Sequence, residues 1–271
     1  MCRRDVKPEM MSNEETVELL IEAWKLMVGR FPGAVIEHSK GVATIFAHAP
    51  LPFLNISMSD RQLANADELR GALTLVRERA KTCKHGSLLA LGEPWVPAEW
   101  EQVTVEEGFA MALNMTGMAA DHLLPPRRAL PELAFRRVSD ETAARDLAMI
   151  NAQAYGIPPE LFECMCNLHL WHADSFGYVG YADGKAVTSA AAFPVAGTMY
   201  IAFVATVPEA HGKGYAEAVM RHAIEQAGPA MGVVRMTLHA SDMGRPVYQA
   251  MGFEPGARVM LLAPADASAG H

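Results

Sequence analysis

Cysteine is scarce in this chain of 271 residues, which contains four cysteines. Their separations match neither a disulfide framework nor the paired Cys-x-x-Cys spacing of a zinc site. His169 and His172, three residues apart, add only two candidate ligands. We therefore predict reduced thiols, most of them buried, and no metal site. The four cysteines are Cys2, Cys83, Cys164 and Cys166.

Long apolar runs are also absent. No run reaches the roughly 18 to 20 residues that a membrane-spanning helix needs. The first five residues include charged side chains, and no apolar region of the kind found in a secretion signal follows them. We expect a soluble, cytoplasmic protein without a membrane partner.

Positive charge is also scarce. The chain has 23 Lys and Arg residues and 31 Asp and Glu residues, which gives a formal net charge of −8. A nucleic-acid surface needs a basic stripe, so we predict no nucleic-acid partner. The acidic balance is compatible with a cationic amine as substrate.

Apolar residues, by contrast, make up 51% of the chain, which is enough for a large core. Residues 124–131 contain three prolines and two arginines, a composition typical of a stiff, solvated connector. We therefore predict two domains of ordinary size, residues 1–125 and residues 132–271.

The second domain alternates predicted strands and helices, which indicates an α/β layer. Residues 199–205 form a nearly continuous apolar run, typical of a strand buried on both faces. A helix follows from Gly214, with an apolar stripe at helical spacing, and Gly228-Pro229 is predicted to end it at Ala227. The stripe consists of Ala216, Val219, Met220, Ala223, Ile224 and Ala227.

The two halves show a weak internal similarity. Glu107-Gly108-Phe109 matches Met251-Gly252-Phe253 in part, at an offset of 144 residues. The same offset aligns a predicted helix and a predicted strand of the first half with counterparts in the second. Identities are few, so the offset suggests a duplication without proving it.

Residues 204–216 read as strand, loop and helix start. A helix N-terminus offers unpaired N–H groups to a phosphate, and Gly212 and Gly214 let the backbone approach it closely. Lys213 adds a positive charge. A P-loop is excluded because Gly214 follows Lys213, and a dinucleotide fingerprint because Glu217 occupies its last position. Taken alone, this Gly-x-Gly sequence is equally compatible with a plain tight turn.

The surrounding residues favour a phosphate site. His211-Gly212-Lys213-Gly214-Tyr215-Ala216 resembles the cofactor motif of the GNAT acyltransferase superfamily, Arg/Gln-x-x-Gly-x-Gly/Ala, with His211 in place of Arg or Gln. Residues 239–253 resemble the second motif of that family, in which a tyrosine, here Tyr248, is followed by Gly-Phe. The resemblance covers about residues 133–264. It implies an α/β (α+β) fold with a GNAT-like mixed sheet flanked by helices.

The resemblance also implies which residues hold the co-substrate, acetyl-CoA. In the family, the strand before the loop splays from its neighbour and pairs with pantetheine, and the end of that strand is here Val204, Ala205 and Thr206. A free N–H in this region polarises the thioester carbonyl. Ser241 stands where many members have an Asn near pantetheine, so the resemblance implies a pantetheine contact at Ser241 with serine in place of asparagine. The implied pyrophosphate cradle is His211, Gly212, Lys213, Gly214, Tyr215 and Ala216.

Tyr248 matches the usual general acid of the family. A departing CoA thiolate benefits from a proton, since a free thiol has a pKa of about 8.5. The alternative for Tyr248 is an aromatic side chain on a short helix with its hydroxyl in water. The sequence does not identify a base: Tyr200 is on the strand where some members place a carboxylate, and Glu209 is predicted to face solvent.

When the two halves are aligned at the offset of 144 residues, the first half lacks the residues of the cradle and the general acid. Residues 211–216 align with residues 67–72, where Asp67 and Glu68 would repel phosphate and Arg70 replaces Gly214. Tyr248 aligns with Thr104. We therefore expect two tandem GNAT-like domains, of which the first is degenerate and the second catalytic.

The predicted function is transfer of an acetyl group from acetyl-CoA to a primary amine of a small molecule, directly within a ternary complex. Two alternatives stay open: a protein or peptide N-acetyltransferase, which needs an open groove, and a non-catalytic regulator that binds acyl-CoA. The sequence also leaves a homodimer open. The acceptor and the preferred acyl length are not readable, because such choices reside in variable loops.

Overall fold

The computed structural model describes residues 12–166 and 168–265. Cys2 and the outer limits of both predicted domains lie outside these residues. Within them, Cys83, Cys164 and Cys166 form no disulfide, and no helix is long and apolar enough to cross a bilayer. The helices are α1 (Asn13–Val28), α2 (Ala66–Ala80), α3 (Trp100–Glu106), α4 (Glu141–Tyr155), α5 (Pro159–Phe162), α6 (Tyr215–Met231) and α7 (Arg245–Met251).

The described strands form one mixed sheet, so the predicted α/β class is confirmed. Their order across the sheet is β1-β2-β3-β4-β11-β5-β10-β9-β8-β7-β6. The strands are β1 (Val35–Ser39), β2 (Val42–Phe46), β3 (Asn55–Ser59), β4 (Leu88–Gly92), β5 (Phe109–Ala120), β6 (Ala134–Arg137), β7 (Phe176–Ala182), β8 (Lys185–Val195), β9 (Thr198–Thr206), β10 (Met236–Ser241) and β11 (Glu254–Pro264).

The strand order has an internal symmetry. Each of β1 to β5 has an equivalent strand six places later in the chain, so that β1 corresponds to β7 and β5 to β11. From the β1 edge the sheet runs β1-β2-β3-β4-β11-β5, and from β7 it runs through the equivalent strands, β7-β8-β9-β10-β5-β11. The helices between the strands repeat as well, because α2 follows β3 as α6 follows β9, and α3 follows β4 as α7 follows β10. This symmetry supports the internal duplication that the sequence suggests.

The two halves exchange their last strands. β5, from the first half, pairs antiparallel with β10, and β11, from the second half, pairs antiparallel with β4. β5 and β11 also pair with each other at the centre of the sheet. The predicted limits, 1–125 and 132–271, therefore mark two chain segments joined by an exchange of strands. We use "N-terminal half" and "C-terminal half" for these segments.

α1 connects the two halves. Its N-terminus has a capping box, in which Ser12 accepts from the Glu15 backbone and Glu15 accepts from the Ser12 backbone. The helix packs on the central strands at two glycines: a Cβ at Gly92 would meet Val17 at 2.3 Å, and one at Gly117 would meet Thr16 at 2.3 Å. Buried residues of α1 and α4 belong to the same core cluster, so the halves share one hydrophobic core.

α6 follows its predicted stripe but is longer than predicted. Val219, Met220, Ala223 and Ala227 are buried, whereas Ala216 and Ile224 are half-buried. The prediction that the helix ends at Ala227 is wrong, because α6 continues through Pro229 to Met231. The left-handed residue that ends it is Gly232, with φ 65°, whose N–H bonds to the Gly228 carbonyl.

Candidate functional site

β9 loses one of its two neighbours halfway along its length. Its parallel pairing with β10 covers only Met199–Ile201, opposite Met236–Leu238, whereas its antiparallel pairing with β8 continues to Thr206. Among the described strands, none replaces β10 beyond this point. One edge of β9 is therefore open along Val204, Ala205 and Thr206, the residues predicted to meet pantetheine. We call this opening between β9 and β10 the splay.

The splay begins at a β-bulge. Ala191 pairs with Ala202 and Ser189 pairs with Ala205, so two residues of β9, Phe203 and Val204, lie opposite one residue of β8. Phe203 has φ 53°, a left-handed conformation that is unfavourable for a bulky side chain. The sequence offered no sign of this bulge, because residues 199–205 read as a regular strand.

The loop after β9 leads into the N-terminus of α6. Gly212 and Gly214 have φ values of 76° and 82°, which other residues rarely adopt. Gly214 is the N-cap residue and provides no side-chain cap. The first helical bond joins the Ala218 N–H to the Gly214 carbonyl, so the preceding N–H groups of the first turn are left for an anion.

The charges near this loop are mostly positive. Arg128 Nη2 donates to the Gly212 carbonyl at 3.0 Å, and a Cβ at Gly214 would lie 3.1 Å from the same guanidinium group. Lys213 is exposed, with Nζ 5.9 Å from the centre of the Tyr215 ring. Glu217 is the only carboxylate in the first turn of α6, and Arg221 pairs with it at 2.8 Å. Sequence reasoning assigned Arg128 to a solvated connector and missed its position beside the loop.

His211 closes the loop onto the end of β9. Its Nε2 lies 2.8 Å from the Thr206 carbonyl oxygen, and because a carbonyl accepts only, Nε2 carries the proton. The imidazole thus ties the first residue of the motif to the strand predicted to line the pantetheine arm. This bond gives His211 a structural role at the position where the GNAT motif has Arg or Gln.

Tyr248 lies on α7 with 8% of its surface exposed. The structure therefore favours a buried residue over an aromatic side chain with its hydroxyl in water. Burial raises the pKa of the Tyr248 hydroxyl above its usual value, with a smaller contribution from Tyr155. The phenol therefore stays protonated at neutral pH. The nearby Ser241 Oγ accepts from the Gly244 N–H at 3.3 Å.

Tyr200, which is buried, and His239, which is half-buried, form a pair at the base of the splay. Tyr200 Oη lies 2.9 Å from His239 Nδ1, and His239 Nε2 lies 2.9 Å from the Thr16 carbonyl of α1. The Thr16 carbonyl requires a proton on Nε2, so Nδ1 accepts a hydrogen bond from the Tyr200 hydroxyl. Burial lowers the pKa of His239 to about 4 and raises the pKa of Tyr200. Neither group is a good base at neutral pH in this arrangement, and the base stays unassigned.

The bulge is flanked by an aromatic wall. The Trp171 ring lies 6.0 Å from both the Phe193 and the Phe203 ring, centre to centre. Phe162 is buried nearby in the shared core, whereas His169 is exposed. The structure therefore places Trp171 against the bulge.

Comparison with known proteins finds a family model that matches part of the chain. Residues 145–253 match the model of the acetyltransferase (GNAT) family. Among proteins with curated descriptions, none matches the chain. A GCN5-related N-acetyltransferase from Kribbella flavida has a similar fold, with a TM-score of 0.68, 19% identity and coverage of 92% of this chain and 95% of that one.

Two further solved structures have the same fold over most of their length. A GCN5-related N-acetyltransferase from Sphaerobacter thermophilus has a TM-score of 0.56 and 16% identity, covering 92% of this chain and 91% of that one. A conserved protein of unknown function from Staphylococcus epidermidis has a TM-score of 0.62 and 12% identity, covering 86% and 95%. At these identities the similarity shows the fold of both halves.

Proposed function

Because residues 145–253 match the model of the acetyltransferase (GNAT) family, whose members are acyltransferases, we propose that this chain transfers an acetyl group from acetyl-CoA to a primary amine of a small molecule. The observation that carries the proposal is the continuity of two features. The splay along Val204–Thr206 leads directly to the uncapped N-terminus of α6, so an extended thiol arm and a pyrophosphate fit end to end.

The loop provides the binding energy for the pyrophosphate. Helix N–H groups and the positive end of the helix dipole favour an anion at the N-terminus of α6. The positive φ values of Gly212 and Gly214 leave this backbone uncovered, and the guanidinium of Arg128 adds a charge from outside the motif. Residues His211 to Ala216 are therefore the proposed cradle.

The transfer itself needs little from the protein beyond placement and one proton. The amine nitrogen forms a bond with the thioester carbon and releases a proton to water, the carbon–sulfur bond breaks, and CoA leaves as a thiolate. The protonated Tyr248 hydroxyl is the proposed donor to that sulfur, and an N–H at the bulge is the proposed donor to the carbonyl oxygen. Both substrates are then present at the same time, so the transfer is direct.

The N-terminal half supports a small acceptor. α1 covers the sheet from β4 to β10, and Arg30 at its end pairs with Asp174 of the C-terminal half at 2.8 Å. α1 therefore reduces the open surface on the face of the sheet where the aromatic wall lies. A peptide acceptor would need an extended groove along this face.

The first test is titration of acetyl-CoA into the protein by calorimetry. Wild type is expected to bind in the micromolar range. Gly214→Glu places a carboxylate in the cradle at φ 82°, and should weaken binding by on the order of 100-fold. The matched control is Gly197→Glu, which carries the same charge at φ 77° in the turn between β8 and β9, at the opposite end of β9.

Loss of binding in Gly214→Glu alone supports the cradle. Equal losses in both variants, or no binding by folded wild type, would contradict the proposal. A screen of primary amines for release of free CoA thiol then separates the candidate functions. Turnover with small amines supports the proposal, turnover with peptides only supports a peptide acetyltransferase, and binding without turnover supports a regulator.

A further inference from the structure

The bulge in β9 needs something to hold it, since Phe203 adopts a left-handed conformation. Such a backbone is strained for a residue with a side chain, and it persists only where the surroundings enforce it. Among the described strands, neither Phe203 nor Val204 is paired across the sheet, so the ladder itself does not enforce it.

Two buried side chains hold the bulge by its carbonyl group. Ser189 Oγ, on β8, donates to the Phe203 carbonyl at 2.8 Å. Asn151 Nδ2, on α4, donates to Ser189 Oγ at 3.0 Å and to the Leu147 carbonyl at 2.9 Å. Ser189 and Asn151 are both fully buried.

The donor and the acceptor of each hydrogen bond in this series can be assigned. The Leu147 carbonyl accepts only, which places the amide nitrogen of Asn151, and not its oxygen, on this side. The amide then donates its second hydrogen to Ser189 Oγ, and Ser189 uses its own proton for the Phe203 carbonyl. The rings of Trp171 and Phe193 pack beside Phe203 and restrict the same residue.

Holding the Phe203 carbonyl also orients the next N–H. In a trans peptide, the C=O of one residue and the N–H of the following residue point in opposite directions. The Phe203 carbonyl points towards Ser189, on the side of α4 and β8. The Val204 N–H therefore points the other way, towards the edge from which β10 has departed.

We propose that Asn151 and Ser189 are positioning residues that aim the Val204 N–H into the splay, where it donates to the carbonyl oxygen of the thioester. This inference rests on the proposed acetyl transfer. The Val204 N–H touches the reacting group, whereas Asn151 and Ser189 act through the Phe203 peptide. A donor held in place before the reaction stabilises the charge that develops on that oxygen and needs no rearrangement.

The principal test variant is Ser189→Ala, and the matched control is Thr188→Val. Thr188 is also fully buried on β8 and donates to a carbonyl of β9, that of Ala205 at 2.8 Å, outside the bulge. Ser189→Ala should lower kcat by on the order of tenfold or more while the Kd for acetyl-CoA changes by about twofold or less. Thr188→Val should leave kcat within about threefold of wild type.

An infrared measurement distinguishes positioning from a general structural role. The C=O stretch of bound acetyl-CoA, labelled with ¹³C at the carbonyl, should lie at lower frequency on wild type than in solution, because a hydrogen bond weakens the double bond. In Ser189→Ala it should return towards the solution value, and in Thr188→Val it should not.

A second variant guards against a folding defect in Ser189→Ala. Asn151→Leu removes an amide whose Oδ1 has no hydrogen-bond partner among the described residues, so the fold should tolerate it. It should lower kcat in the same direction, by a smaller factor. If wild type binds and turns over acetyl-CoA but Ser189→Ala and Asn151→Leu keep its kcat and its C=O frequency, this inference fails and the proposed function stands. If wild type does not bind acetyl-CoA, the proposed function fails first.

Discussion

The N-termini of α2 and α6 occupy equivalent places in the two halves, since each follows a strand and a short loop. At α6 the N-cap is Gly214, without a side chain, and the nearby charges include Arg128 and Lys213. At α2 the N-cap is Asn65, whose side chain accepts from the Glu68 N–H at 3.0 Å. One of the N–H groups that an anion would use at α6 is therefore already bonded at α2.

Charge widens this difference. Glu68 lies in the first turn of α2 and accepts hydrogen bonds from Arg61 and from the Ala64 N–H, and the Arg61 bond is the main cause of its lowered pKa. Asp67 is a second carboxylate in the same turn. Both repel phosphate at neutral pH. The offset of 144 located this contrast on residues 67–72, whereas the structure places the equivalent N-cap at Asn65, because α2 begins at Ala66.

The strands that precede α2 and α6, which are β3 and β9, also differ in the regularity of their pairing. β3 pairs with β2 over all five of its residues without a shift, whereas β9 has the bulge at Phe203. Thr104 of α3 stands at the place of Tyr248, but its hydroxyl donates to the Glu101 carbonyl of its own helix. The comparison teaches that the symmetry of the sheet does not extend to the proposed site. A few residues with unusual backbone or uncapped ends make the difference.

The largest effect that would sharpen the contrast is expected for Tyr248→Phe. Removing the proton donor to the leaving thiolate should lower kcat by on the order of 100-fold with little change in the Kd for acetyl-CoA. Because the pKa of Tyr248 is raised, its hydroxyl stays protonated above neutral pH. Deprotonation of Tyr248 should therefore not reduce wild-type kcat between about pH 8 and pH 9.5.

Steady-state kinetics and calorimetry provide the measurement for Tyr248. Tyr178→Phe is the control, since Tyr178 is similarly buried but lies on β7 beside His222. An unchanged kcat in Tyr248→Phe would mean that Tyr248 is no more a proton donor than Thr104 is.

A smaller effect is expected for Arg128→Ala. Loss of the guanidinium beside Gly212 should raise the Kd for acetyl-CoA about tenfold at low salt, and the difference should shrink as salt screens the charge. Arg127→Ala is the matched control, because Arg127 is the exposed neighbour of the same residue type. Similar losses in both variants would indicate a diffuse effect of charge and would argue against the contact with Gly212.

The smallest effect is expected for Asn65→Ala in the N-terminal half. Removing this cap should lower the free energy of unfolding by about 1 kcal/mol and leave the affinity for acetyl-CoA unchanged. Denaturant unfolding and calorimetry measure the two quantities. Weaker acetyl-CoA binding in this variant would mean that α2 takes part in the site, and the proposed division of labour between the halves would be wrong.

Much of the C-terminal half was readable from sequence because its signals are local. The apolar stripe of α6 and the glycines at positions 212 and 214 lie within one stretch of about twenty residues, and they predicted a helix that begins at a phosphate-binding loop. The end of α6 was predicted wrongly, since the dipeptide Gly228-Pro229 is tolerated near the last turn. Arg128 was read as part of a connector because nothing local indicates which loop it will meet.

The sequence by itself determined the α/β class, the glycine-containing loop before α6 that is proposed to bind phosphate, and the resemblance that points to Tyr248. Only the tertiary structure decided the exchange of β5 and β11, the approach of Arg128 to Gly212 and the bulge held by Asn151 and Ser189. The reason is physical. Helical periodicity and turn chemistry act between residues close in the chain, whereas strand pairing and buried hydrogen bonds join residues that are far apart and are selected by the packing of the whole sheet.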